Sequence, residues 1–408
     1  MENTALEVAS LAGHILLENG AEISRVEETM ERIAAHYGVD SENFFVLSNG
    51  IFTTGNAGYA KVEFIPFKGA QLERVAAVNQ ISRDIEAGKY TLEQARGKLI
   101  AVRNSAGKPF WEQVIGSAVG SAGFCMIFGG GLMDAAAAFV AGLLLWVLVL
   151  AISSPKVSKI LCNIVGGTFG TALCIVFNKV GFGVSLGNMI VGSLIPLIPG
   201  VAFTNGIRDL ADEDYIAGFT RLLDAIMVFF CIAAGVALTF MTDSLIEGTM
   251  LVVNGTEPDA LTATIPFQAL AAFVGTLGFA VLFGVPRRNY VGTAVIATIG
   301  WVVYLLLERY TALGMVGGTF FATVVVVVLA RLFAIWFKAP STVFLITGVF
   351  PMIPGGGIFW TTFFLVSSRF TMAAHSGFNA LAVTAAIVLG IVIISSLPSR
   401  LFRTGKAR

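Results

Sequence analysis

Pro196-Leu197-Ile198-Pro199-Gly200 lies inside a long apolar stretch, and 155 positions later Pro351-Met352-Ile353-Pro354-Gly355 repeats it inside another. A proline within a membrane helix removes one amide donor and clashes with the carbonyl four residues back, so Pro-x-x-Pro-Gly frees several backbone groups at once. The same offset recurs upstream. Gly120, Gly123-Phe124 and Phe128-Gly129 match Gly275, Gly278-Phe279 and Phe283-Gly284, and Trp146-Val147 matches Trp301-Val302. Val165-Gly166-Gly167-Thr168-Phe169 matches Val316-Gly317-Gly318-Thr319-Phe320 at an offset of 151, which needs only a four-residue gap. So many agreements in register predict a duplicated unit of about 155 residues.

Around these landmarks ten segments approach the roughly 20 apolar residues that a bilayer core requires. They are 113–132, 134–152, 157–177, 184–206, 215–241, 265–285, 290–307, 312–337, 341–366 and 377–397. Each copy holds five spans, an odd number, so the second enters the bilayer from the opposite side. The expected fold class is a polytopic α-helical membrane protein of two inverted five-helix repeats, preceded by a small soluble α+β domain. Inverted repeats are the architecture of secondary transporters, in which two pseudo-symmetric conformations give alternating access to a central site. An anchor or simple receptor has no need of one, although a channel could share it.

Composition fits that division. Of 408 residues 56% are hydrophobic and 13% charged, against roughly 25% charged in soluble domains, and half of the charged residues fall within the first 112 positions. The expected organisation is a cytoplasmic domain over 1–110, a first membrane repeat with an external loop over 111–260, and a second repeat with a basic cytoplasmic tail over 261–408. The opening residues have two acids, no Lys or Arg and no apolar core, so no signal peptide is expected and the N-terminus is expected to stay in the cytoplasm. After residue 112, eleven Lys and Arg fall at cytoplasmic ends and three (Lys179, Arg309, Arg369) outside, with Arg221 inside a span. This is the positive-inside pattern. Loop 242–264 has four acids and no Lys or Arg. Both termini are thus expected in the cytoplasm.

Cys125, Cys162, Cys174 and Cys231 sit in apolar runs without Cys-x-x-Cys or Cys/His spacing, so neither a disulfide framework nor a metal site is expected. No cofactor is implied. A net charge of zero gives no reason to expect nucleic acid as a partner.

In the soluble third, helical periodicity runs from about residue 4 to 19 and ends at Gly20. A second helix follows to about Tyr37, its start fitting a capping box in Ser24-Arg25-Val26-Glu27. Strands are expected over 43–47, 51–54 and 59–67 with a tight turn at Asn49-Gly50, then helices over 70–87 and 91–104. Glu22, Glu27, Glu28 and Glu31 read as the solvated face of an amphipathic helix. His14 and His36 are isolated, and no nucleophile, base and orienting group can be assembled. The domain is expected to regulate or gate, and the protein is not expected to be an enzyme.

The paired breaks are the best pointer to a substrate site, because half-helix N-termini offer amides and positive dipole ends to a carboxylate. Pro196, Pro199, Gly200, Pro351, Pro354 and Gly355 would form it, with Ser193, Thr204 and Asn205 around the first break and Trp360, Thr361 and Thr362 after the second. Thr168 and Thr319 are further candidates; a kink that only shapes packing is the plainer alternative. Ionisable groups inside spans are costly and usually functional. Asp224 is expected to couple protons or hold a substrate ammonium, paired with Arg221 in one state, and the offset maps it onto Asn379. A static ion pair is the competing reading. Arg208, Asp209, Asp212, Glu213 and Asp214 read as a solvated turn or a gate.

Gly20-Ala21-Glu22-Ile23-Ser24-Arg25-Val26-Glu27, the Ser48-Asn49-Gly50 turn and the two Pro-x-x-Pro-Gly spans together resemble the threonine/serine exporter family, over nearly the whole chain. The resemblance implies export of threonine and serine driven by the proton-motive force across a bacterial inner membrane. In some bacteria the two parts look like separate subunits associated with succinate export, so a dicarboxylate is the alternative substrate. From another class, a membrane-anchored enzyme or sensor acting through residues 1–110 stays open. The partners implied are a small-molecule substrate, protons and the lipid bilayer; glycine-rich helix faces leave a homo-oligomer open.

Overall fold

The computed structural model describes residues 2–39, 44–55, 59–154, 156–247 and 261–398. Most of the expected external loop and the basic tail, with Arg400, Arg403, Lys406 and Arg408, lie outside these residues, as does Asn43 at the start of the first expected strand.

Helices α1 (Glu2–Glu18) and α2 (Ile23–His36) precede strands β1 (Phe44–Leu47), β2 (Gly50–Thr54) and β3 (Ala60–Phe64), followed by α3 (Leu72–Glu86) and α4 (Leu92–Arg103). The strands form an antiparallel sheet in chain order. Leu47 pairs with Gly50, so the turn is Ser48-Asn49, one residue earlier than expected. Leu6, Ile15, Leu16, Ile33, Ile51, Val75 and Leu99 share one apolar core. Among helix caps here, Thr91 accepts from the Gln94 amide while Gln94 reaches back, a complete capping box.

The capping box expected at Ser24 is absent. Helix α2 starts at Ile23, with Glu22 as N-cap and no side-chain cap of its own. Its orphan Ile23 amide instead donates to Asp209 Oδ1, 3.0 Å away in the membrane part. Ser24 Oγ donates to Asp212 at 2.7 Å, and Glu27 accepts from the Val46 amide at 3.3 Å. Long-range partners have displaced the local cap.

The membrane part comprises α5 (Phe110–Ile127), α6 (Leu132–Ile152), α7 (Lys159–Lys179), α8 (Leu186–Leu194), α9 (Gly200–Ala211), α10 (Tyr215–Glu247), α11 (Ile265–Leu282), α12 (Tyr290–Tyr310), α13 (Gly314–Phe337), α14 (Ser341–Val349), α15 (Gly355–Val366) and α16 (Phe370–Ser395). Among the described residues seven helices are long and apolar enough to cross a membrane, or nine if each bent pair counts as one span. The chain is a polytopic helical membrane protein. Helix α5, the remaining expected span, opens with Glu112 and Gln113 and carries three glycines, which lower its apolarity.

The two halves pack alike. Helix α7 lies on α10 as α13 lies on α16, α5 on α6 as α11 on α12, and α10 on α15 as α16 on α9. Helices α5 and α11 cross through glycines: a Cβ on Gly123 would stand 2.5 Å from the Gly275 Cα, and one on Gly278 2.5 Å from the Gly120 amide. As the residue number rises on one helix it falls on the other, so the pair is antiparallel. Beside the crossing, Phe124 and Phe279, which are repeat equivalents, meet edge to face at 5.0 Å, and Phe350 joins them.

Candidate functional site

Both breaks have one geometry. After α8 and α14 the chain takes a 3₁₀ turn, over Ile195–Leu197 and Phe350–Met352. Pro199 then has φ −79° and ψ 55°, and Pro354 φ −77° and ψ 53°. Gly200 donates to the Ile198 carbonyl at 2.8 Å and Gly355 to that of Ile353 at 2.7 Å. Each is an inverse γ-turn centred on the second proline. The half-helices meet at 65° in the first pair and 42° in the second. Gly200 packs against Phe350 and Ile353, and Gly355 against Ile195 and Ile198; the partners are themselves repeat equivalents.

One cavity lies beyond each break. The far cavity, of about 460 Å³, opens at the end of the bundle away from the soluble domain, where Ala263, Glu308 and Arg309 stand at its mouth. Pro351, Pro354, Gly356, Gly357, Trp360 and Asn379 line it, with Asn188, Gln268, Trp301, Tyr304, Thr319 and Ser376. Gln268 is buried and held by Trp301 Nε1, which donates to its oxygen at 3.0 Å, while its amide donates to the Met126 and Thr262 carbonyls, each at 2.9 Å. The near cavity, of about 320 Å³, lies under the soluble domain and is lined by Val201, Ala202, Asn205, Arg221, Asp224 and Lys159. Leu17, Gly20, Ser48, Asn49 and Phe67 cover it.

These two linings are related by the 155-residue offset. An offset of 155 carries Val201, Ala202, Asn205, Arg221 and Asp224 onto Gly356, Gly357, Trp360, Ser376 and Asn379. In each cavity the first residues of a half-helix form part of the wall.

The near side is sealed by residues 20–25. Gly20, at φ +87°, holds a backbone conformation that favours glycine, a Cβ there would stand 3.1 Å from Val201 and 3.2 Å from Phe67, and its carbonyl accepts from Asn205 Nδ2 at 2.7 Å. Arg221 donates to the Ala21 carbonyl at 2.9 Å and to Asp209 at 2.7 Å. Glu22 is fully buried, 2.7 Å from Arg25 and 3.2 Å from Arg208. The Thr342 hydroxyl, 2.6 Å from one Glu22 oxygen and 2.8 Å from the other, donates to the carboxylate and accepts from Arg208 at 2.9 Å. Burial alone would push the Glu22 carboxyl up, but the Arg208 and Arg25 guanidiniums and the Thr342 hydroxyl outweigh it and hold the group at about 2. A second contact, from the Leu72 and Glu73 amides to the Phe283 and Gly284 carbonyls at 3.1 and 2.6 Å, joins the start of α3 to the end of α11.

Several expectations change. Glu22 and Asp209 are not solvated; they are the buried centre of the seal, because Glu22 meets the Arg208 charge from α9 and Asp209 accepts from the Ile23 amide while pairing with Arg221. Asp224 does not pair with Arg221. Arg221 turns instead to the buried Asp209 on α9, and half-exposed Asp224 pairs with Lys159 at 2.7 Å. Asn379 lies 3.4 Å from the His375 ring. Ser193 and Thr204 line neither cavity: Ser193 is buried against the Ile190 carbonyl and Cys174, and the Thr204 hydroxyl is buried without a partner. Thr361 donates to the Gly357 carbonyl at 2.7 Å. Pro196, Pro199, Gly200 and Gly355 shape the breaks and line neither cavity. Sequence reasoning missed Gln268 and Asn188, and the signal was available: each is a lone amide in an apolar run. Among the described residues no group of three His, Cys, Asp or Glu converges as a metal site would require.

Broken helices in similarly packed halves, with a cavity at either end, define a membrane transporter. Residues 7–242 match a family model described as "Putative threonine/serine exporter", and residues 268–397 match a second model described as "Threonine/Serine exporter, ThrE". The chain belongs to the threonine/serine exporter family, which is a family of transporters rather than enzymes. It is 21% identical to the "Threonine/serine exporter" of Corynebacterium glutamicum over 98% of this chain and 83% of that protein. It is 22% identical to the "Probable threonine/serine exporter" of Mycobacterium tuberculosis (strain ATCC 25618 / H37Rv), over 96% of this chain and 77% of that one. No solved structure matches it.

Proposed function

We propose that the protein is a secondary active transporter that exports threonine and serine across the bacterial inner membrane in exchange for protons, with both termini in the cytoplasm. Residues 111–260 and 261–408 act as two inverted five-span repeats, α5 and α11 opening each, and residues 1–110 gate the cytoplasmic side. The observation that carries this reading is the pair of cavities lined by repeat-equivalent residues at opposite ends of the bundle. Alternating access needs two such openings that exchange roles when the repeats exchange conformations. The antiparallel α5–α11 crossing supports an inverted relation, since a two-fold axis between antiparallel helices lies across them.

Substrate is held at the breaks, its carboxylate at the amides of Gly356 and Gly357 and its polar groups among Gln268, Asn379, Trp360 and Thr319. On the near side Asn205 and the α9 amides take the same part, and Asp224 carries the coupling proton, released from Lys159. One acid and one base, Glu308 and Arg309, stand at the far mouth, which suits a zwitterion better than a dicarboxylate.

The test is efflux from proteoliposomes loaded with labelled threonine or labelled succinate, with and without an imposed pH gradient. Gradient-dependent loss of threonine alone is expected. Loss of succinate alone would keep the mechanism and overturn the substrate; loss of neither would overturn the transport reading for both solutes.

A further inference from the structure

The face where the soluble domain meets the membrane helices has a further opening, separate from both transport cavities. It is a cleft of about 520 Å³ between α2 and α3 on one side and the end of α13 with the start of α14 on the other. Arg25, Arg32, Arg83, Arg331 and Lys338 line it, against a single acid, Glu28. That acid is already engaged by Arg32, which also reaches Glu86 at 3.5 Å from outside the cleft, and Arg25 shares the Glu22 carboxylate with Arg208. Arg83 donates to Gln80 Oε1 at 2.8 Å and to the Lys338 carbonyl at 2.9 Å, both neutral acceptors. Arg331 donates to the Ser395 and Leu397 carbonyls at 2.6 and 2.9 Å. Burial pushes the Arg83 guanidinium below its usual range, and the charges of Arg32 and Arg25 push the same way. Cations gathered around a cavity repel one another unless an anion enters it.

We infer that this cleft binds a phosphate-bearing anion, gripped by Arg25, Arg32 and Arg83 of the soluble domain and by Arg331 of α13 and Lys338 just after it. Guanidinium forks match phosphate oxygens in pairs, and charge-assisted bonds of this kind are the strong ones. Trp336 and Ile335, next to the cleft, are 65% and 44% exposed, as side chains at the lipid headgroup level are. Two sources therefore present the same chemistry: the headgroup of an anionic phospholipid lying along α13, and a free phosphate in the aqueous phase. Either anion would tie the soluble domain to the membrane helices and strengthen its docking. The inference is independent of which solute is carried.

The test uses the full-length protein in detergent and follows its thermal unfolding while phosphatidylglycerol, phosphatidylcholine or inorganic phosphate is titrated in. Comparison is with Arg83→Gln/Lys338→Asn, which removes two charges; asparagine tolerates the left-handed backbone of position 338 (φ 50°). Saturable stabilisation by phosphatidylglycerol but not phosphatidylcholine or phosphate, weakened at least about tenfold in the variant, assigns a lipid headgroup. The same pattern with inorganic phosphate assigns a free anion. No saturable shift, or equal shifts in wild type and variant, overturns the site. If the double variant fails to fold, Lys338→Asn alone, at an exposed position, is expected to weaken the effect a few-fold, and an unchanged response there overturns the site equally.

Discussion

Glu22→Gln isolates the seal. The substitution keeps the shape but removes the charge that Arg208 and Arg25 share inside a fully buried site and turns one accepting oxygen into a donating amide. In the folded protein the Glu22 carboxyl sits at about 2 rather than 4.5, and at 1.36 kcal/mol per unit that displacement corresponds to about 3 kcal/mol. Breaking a buried ion pair by removing one partner costs about 3–5 kcal/mol, so two routes agree. Because the carboxylate also joins the soluble domain to α9 and α14, the loss falls on docking. About 3 kcal/mol is roughly a 10²-fold change in the docked-to-undocked ratio. Hydrogen exchange measured by mass spectrometry should show the amides of residues 20–25, Ile23 above all, exchanging roughly 10²-fold faster in the variant. The pH dependence has a defined sign. A depressed carboxyl contributes its full stability above the unfolded value near 4.5 and loses it as pH falls towards 2, so the contribution of Glu22 to docking should be lost only in that acid window. An exchange rate at residues 20–25 unchanged by Glu22→Gln at neutral pH would refute the reasoning.

Three further predictions concern the membrane part. Asp224→Asn should abolish pH-driven efflux while leaving counterflow exchange; unchanged pH-driven efflux would remove Asp224 from the coupling step. Gly278→Ala sets a methyl 2.5 Å from the Gly120 amide, and since backbone cannot swing aside it should cost about 1–3 kcal/mol or more, read as a lower midpoint of thermal unfolding in detergent. Pro199→Ala and Pro354→Ala should each relax a γ-turn and lower transport without reducing the amount of folded protein, and normal rates in both would place the site away from the breaks.

How much of this was legible in sequence depends on how local the cause was. The breaks could be read from Pro196 to Gly200 and from Pro351 to Gly355 because proline acts on its own backbone. The β-hairpin was short-range for the same reason, although the turn lay one residue earlier than alternation suggested; the Thr91-Gln94 capping box is equally local but was not read from the sequence. The seal was not legible. Glu22 and Asp209 are 187 positions apart, each sits in a run of charges that looks solvated, and only folding brings Asp209 to cap α2 in place of Ser24. The Asp224–Arg221 pairing failed because one-turn spacing on a helix permits a contact without requiring it, and Asp209 offered Arg221 a drier site.

The repeats also differ in a way that bears on the transport cycle. Where the near cavity has Asn205, Arg221 and Asp224, the far cavity has Trp360, Ser376 and Asn379 at the positions 155 residues on, so at these positions ionisable groups stand on the near side only, and the far cavity's Glu308 and Arg309 come from elsewhere in its lining. The soluble domain adds contacts on that same side, with no counterpart at the far mouth among the described residues. Two identical repeats would make the inward-open and outward-open states equal in energy; a seal of about 3 kcal/mol on one face shifts that ratio by roughly 10². The conformation described, with the far cavity the larger and the near one covered by Gly20, Ser48 and Asn49, is the one such a bias selects. Opening the near side then requires something that competes for Arg208, Arg221 or Asn205. Asn205 and Arg221 line the near cavity itself, which makes an arriving solute the natural competitor.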